Sequence, residues 1–118
     1  MRNDKDNIIV NLTFEFAIQI IEFVDLLEAK KKYVVGKQLL KSGTSIGANV
    51  REAQNAESKA DFVHKMKIAA KEVDETEYWL TICKESKNYP FDDSLIDSIK
   101  DIKLILSKII STSKRKHN

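Results

Sequence analysis

Cysteine is nearly absent from this chain: Cys83 stands alone, so no intramolecular disulfide can form. Two histidines, His64 and His117, give no Cys/His spacing for zinc. One proline and three glycines in 118 residues supply few of the turns that a sheet protein needs, which favours long helices. No apolar run comes near the roughly eighteen residues required to cross a bilayer, because charges interrupt every hydrophobic stretch. Twenty Lys+Arg against eighteen Asp+Glu leave a net charge of +2, too balanced for bulk charge to announce a nucleic-acid binder. There is no glycine-rich phosphate loop and no charged-then-apolar leader, so a reducing cytoplasm is the expected setting.

What remains is a globular mixture, 42% hydrophobic and 32% charged, of a length that suits one domain with one core. Four periodic segments fill it. Residues 1–11 read as an N-terminal arm. The first helix is expected from about Thr13, as N-cap, to Lys31, with Phe14, Ile18, Ile21 and Val24 spaced by three and four. The second runs from about Val34 to Ala56 through Val35, Leu39, Ser42, Ile46, Val50 and Ala53, and is rich in small residues. Glycines inside it cost roughly 1 kcal/mol each unless close helix packing compensates.

Ser58 and Asp61 form a variant capping box that opens the third helix, Lys59 to Glu85, whose seam is Phe62, Met66, Ala69, Val73, Thr76, Leu80 and Cys83. After a break at Asn88 and Pro90, Asp92 or Asp93 caps a last helix carrying Leu95, Ile99, Ile102, Leu106 and Ile109 to about Ser113, followed by a basic tail at 114–118. Short connections between long helices make neighbours antiparallel. The expected fold is all-α, a single up-down-up-down four-helix bundle.

Apolar surface exceeds what one such core can bury. Phe16, Ile20, Phe23 and Leu27 form a second row on the first helix, while Ile68, Trp79 and Ile82 fall to one side of the third-helix seam. Rows of this size mark partner surfaces, so Phe16, Ile20, Phe23, Ile68, Trp79 and Ile82 are expected at an interface between copies of the chain.

Polar residues cluster on a flank of the same core. Ser45, Asn49 and Glu52 lie at i, i+4 and i+7 on the second helix; Glu72 and Glu75 lie at i and i+3 on the third, with Lys65 or Arg51 expected beside them as partners. Converging carboxylates in a bundle can hold metal, but the Glu-x-x-His pairs of di-iron bundles are missing. The reading is a hydrogen-bond network that fixes helix register, with no catalytic residue, metal, cofactor or small-molecule substrate. Cys83 reads as packing.

Positive charge is uneven along the chain. Lys30, Lys31, Lys32, Lys37 and Lys41 occur with no acid between Ala29 and Val50; Arg51 follows, and the tail adds Lys114, Arg115 and Lys116. Such clusters can bind phosphate backbones with strongly salt-dependent affinity, which makes RNA or another nucleic acid the candidate partner. The competing reading is a solvated lysine surface on a protein-interaction scaffold.

The run SIGANVREA at 45–53 and DFVHKMKIAAKEVDETEYWL at 61–80 resembles the family of four-helix bundle, ribosomal-protein-like proteins encoded in intervening sequences of bacterial 23S rRNA genes. Ser45, Asn49, Glu52, Phe62, Lys65, Ala69, Glu72, Glu75, Trp79 and Leu80 carry the match. That family is in turn similar to the accessory variability determinant protein of diversity-generating retroelements, whose barrel-shaped pentamer binds nucleic acid through a basic surface. The resemblance implies a ring, a homopentamer, and an RNA-linked role.

Overall fold

The computed structural model describes residues 7–117, the side chains as far as Arg115. Four helices follow in order: α1 (Ile8–Ala29), α2 (Tyr33–Ala53), α3 (Lys59–Glu85) and α4 (Asp93–His117). Each packs on its neighbours in sequence and α4 closes on α1, giving an antiparallel bundle 50 Å long and about 20 Å across. Among the described residues there is no strand, and no helix is long and apolar enough to cross a membrane.

The caps explain the boundaries. Asn7, not Thr13, opens α1: its side chain accepts a hydrogen bond from the Val10 amide at 3.3 Å and donates one to Gln54 at 3.0 Å, tying the start of α1 to the end of α2. Residues 8–11 are therefore helical, and Ile9 and Val10 are core; positions 1–6 of the expected arm lie outside the described residues. Thr13 sits inside the helix, where its hydroxyl donates back to the Ile9 carbonyl at 2.8 Å. A Schellman motif ends α1, with the Lys32 amide donating to Leu27 at 2.8 Å and the Lys31 amide to Glu28 at 2.9 Å; Lys31 takes φ 63 where glycine is usual.

Ser58 caps α3 as expected. Its hydroxyl accepts from the Asp61 amide at 3.0 Å, and the Asp61 carboxylate returns a bond from the Glu57 amide at 3.1 Å. Asp92 caps α4 through the Ser94 amide at 2.9 Å. The expected basic tail is the last turn of α4, where cations suit the negative end of the helix.

The core corrects the assignment of rows on α1. Phe16, Ile20 and Leu27 are at most 2% exposed and Phe23 is buried, so these are not interface residues; Phe14, Ile18 and Ile21, at 55%, 45% and 45%, face out instead. Length decides it. The Phe16 row continues through Ile9, Thr13 and Leu27 for the whole helix, whereas the Phe14 row ends in Asn11, Asp25 and Glu28. Small residues of α2 then lock the choice: a Cβ on Gly43 would stand 2.8 Å from Ile20 Cγ2, so only glycine lets α2 close over that side chain. Between α2 and α3 the Thr76 hydroxyl donates to Ser42 Oγ at 2.9 Å and Glu72 O lies 2.7 Å from it, a buried polar pair that sets their register.

Candidate interaction surfaces

Three surfaces remain once the core is closed. The first is apolar. Phe14, Ile18 and Ile21 recur at i, i+4 and i+7 along the outside of α1, and a groove of about 260 Å³ beside them is lined by Val10, Phe14, Ala17, Thr44, Gly47, Ala48 and Arg51. The Arg51 guanidinium stands 6.0 Å over the Phe14 ring, at the outer limit of a cation–π contact. Small residues on α2 keep the groove shallow, and Leu40 extends its apolar edge.

The second surface is the polar flank of α2 and α3. The Ser45 hydroxyl donates to the Lys41 carbonyl at 2.7 Å and Asn49 to the Ser45 carbonyl at 2.9 Å, both within α2. Among the described residues the Lys65–Glu52 ion pair, at 3.7 Å, joins the helices here, and both ends reach solvent, so it contributes little. Glu72 is half-buried; desolvation raises its pKa first, the Glu75 charge adds to that, and Lys41 opposes both. Trp79 donates from Nε1 to Glu75 at 3.2 Å and meets Tyr78 edge-on at 5.2 Å. Ile68, Trp79 and Ile82 are each half-buried along this flank. The expected network is thus a set of local bonds, and the register function falls to Ser42 and Thr76, polar residues on the two seams.

The third feature is the distribution of cations. Lys30, Lys31, Lys37, Lys41 and Arg51 are exposed, and Lys32 is half-buried with its ammonium 4.7 Å over the Tyr89 ring. That contact places the α1–α2 turn beside the α3–α4 loop, at one end of the bundle. Lys114 and Arg115 lie at the opposite end, where α4 runs out beside the start of α3; the side chain of Lys116 is outside the described residues. The sequence clusters therefore form two basic ends joined by Lys37 and Lys41, separated by the length of the molecule.

Burial raises the Cys83 thiol to about 11, away from reactivity. Among the described residues no group of three His, Cys, Asp or Glu could hold a metal ion.

Comparison with known proteins is informative about lineage. The family described as 23S rRNA-intervening sequence protein matches residues 5–111. A crystal structure of a protein with unknown function from the S23 ribosomal protein family of Bacteroides thetaiotaomicron superposes with a TM-score of 0.82 at 40% identity, covering 86% of this chain and 97% of that one. No curated protein matches.

Proposed function

Because the chain belongs to the 23S rRNA-intervening sequence protein family, we propose that it is a non-enzymatic cytoplasmic bundle that assembles with copies of itself, as a ring of five, and associates with RNA. The observation that carries the assembly is the strip of Phe14, Ile18 and Ile21, three large apolar side chains about half exposed on a helix whose opposite face already completes the core. Removing such a strip from water is favourable at roughly 25 cal/mol per Å² of apolar area. A closed ring repeats one interface around an axis, so a single strip meeting a different face of the next copy suffices. Trp79, Ile68 and Ile82 on the far side of α2 offer that second face.

The RNA part rests on the cations. Lys30, Lys31, Lys37 and Lys41 are exposed, and among the described residues none of them is in an ion pair. In a ring the basic ends of all copies are brought to the same rim, which multiplies the modest charge of one chain. Titrating RNA at two salt concentrations tests this. Changing Lys30, Lys31 and Lys32 to Gln together keeps the fold and lowers the slope of log affinity against log salt by about 2, the value for three single-strand phosphate contacts. An unchanged slope removes these lysines from the account.

One observation favours a second reading, a protein scaffold without nucleic-acid binding. Lys32 is already stacked on Tyr89, Lys41 faces Glu72 and Arg51 covers Phe14, so part of the positive charge is spent inside the molecule. Salt-insensitive capture of one protein, with no RNA affinity, would establish it.

A further inference from the structure

The end of the bundle where α3 begins and α4 ends carries a groove of about 500 Å³ lined by Lys67, Ser107, Ile110, Ser111, Lys114 and Arg115. Three cations converge there from two helices, and no carboxylate among the described residues is ion-paired to any of them. Two to three turns further along the same seam the arrangement is the ordinary one: Lys103 sits between Asp74 and Glu77, 3.3 Å from each. The cations of α4 alone are explained by the helix terminus. Lys67 is not, since it lies in the interior of α3 and lines the same groove as Lys114. Their proximity pulls Lys67 below the ordinary lysine range, chiefly through the Lys114 charge and contact, with a smaller part from burial.

The remaining groups suit an oxyanion. Arg115 donates to Ser111 Oγ at 3.2 Å and Thr112 Oγ1 at 3.4 Å, which fixes the guanidinium against α4 and leaves its other N–H groups free to face the groove. Ser111, accepting from Arg115, keeps its own proton to donate, and Ser107 adds a second hydroxyl. Half-buried Ile110 supplies an apolar wall.

We propose that this groove binds a dianionic phosphate group, held by Lys67, Lys114 and Arg115 with Ser107 and Ser111 as neutral donors. Three cations exceed what a single carboxylate or an internal phosphodiester neutralises, so the ligand is a phosphate monoester or inorganic phosphate. The site does not depend on the RNA reading, although the terminal phosphate of an RNA strand is one source of such a group.

Thermal unfolding of the full chain in inorganic phosphate and in chloride, at matched ionic strength, tests it. Phosphate at ten times its dissociation constant raises the melting temperature of the wild type by about 5 °C more than chloride does. Lys67→Gln loses that increment and, freed of the Lys114 repulsion, is no less stable than the wild type in chloride. Lys71→Gln, which removes the same charge outside the groove, keeps the increment. Equal increments in wild type and Lys67→Gln overturn the site. Short RNAs with 5′-phosphate and 5′-hydroxyl ends then separate the sources: a preference for the phosphorylated end that vanishes in Lys67→Gln assigns the site to strand ends, and a response to inorganic phosphate without that preference assigns it to free phosphate. Affinity for 5′-hydroxyl RNA that survives Lys67→Gln and falls when Lys30, Lys31 and Lys32 are changed to Gln reports on the first basic end, so failure of either proposal is visible without the other.

Discussion

Two rows on one helix divide the work of this molecule. Phe16, Ile20, Phe23 and Leu27 are as apolar as Phe14, Ile18 and Ile21, and the two sets lie on nearly opposite faces of α1, the first inside the core and the second facing water. Hydropathy does not distinguish them; what does is the neighbour that can reach them. Gly43 and Gly47 allow α2 to close against Ile20 and the Thr13 backbone, whereas Phe14, Ile18 and Ile21 stay about half exposed among the described residues. The buried row builds the core of the chain, and the exposed row is the surface on which the proposed assembly rests.

Substitutions can break this contrast. The largest effect belongs to Ile20→Ala, which leaves a cavity at a side chain with no exposure and costs about 2–5 kcal/mol in denaturant unfolding. Gly43→Ala comes next: its Cβ would clash at 2.8 Å with Ile20, and overpacking of this kind costs about 1–3 kcal/mol. The same change at Gly36, where the nearest atom would be 3.6 Å away, stabilises by about 0.4–1 kcal/mol through helix propensity and a less flexible unfolded chain. Opposite signs for the two glycines confirm that close approach is confined to the centre of the α1–α2 seam; the same sign would refute it. Ile18→Ser has the smallest effect on the single chain. Circular dichroism retains full helix content, while the concentration dependence of the melting temperature that accompanies assembly disappears.

The helical bundle was legible because its signals are local. Periodicity, the Ser58–Asp61 cap and the Asp92 cap each lie within a few residues, and α3 runs between the predicted ends. The start of α1 lies at Asn7 and not at the expected Thr13: both are acceptable caps, and the bond from Asn7 to Gln54, 47 positions away, decides between them. The inverted rows of α1 had a readable sign in the greater length of the Phe16 row, which becomes apparent only when Ile9 and Val10 are counted into the helix. Ser42 and Thr76 were placed correctly on their seams, but two polar residues on facing helices reveal their bond only once register is known. Lys67 gave no signal at all. One lysine among many acquires meaning by lying against Lys114, a neighbour 47 residues distant in sequence.

Solution mass by multi-angle light scattering bears most directly on the exposed row. The account predicts an assembly near five times the 13.5 kDa of one chain, converted to single chains by Ile18→Ser. A wild-type protein that stays at 13.5 kDa across micromolar concentrations would contradict it, and would leave Phe14, Ile18 and Ile21 without a partner.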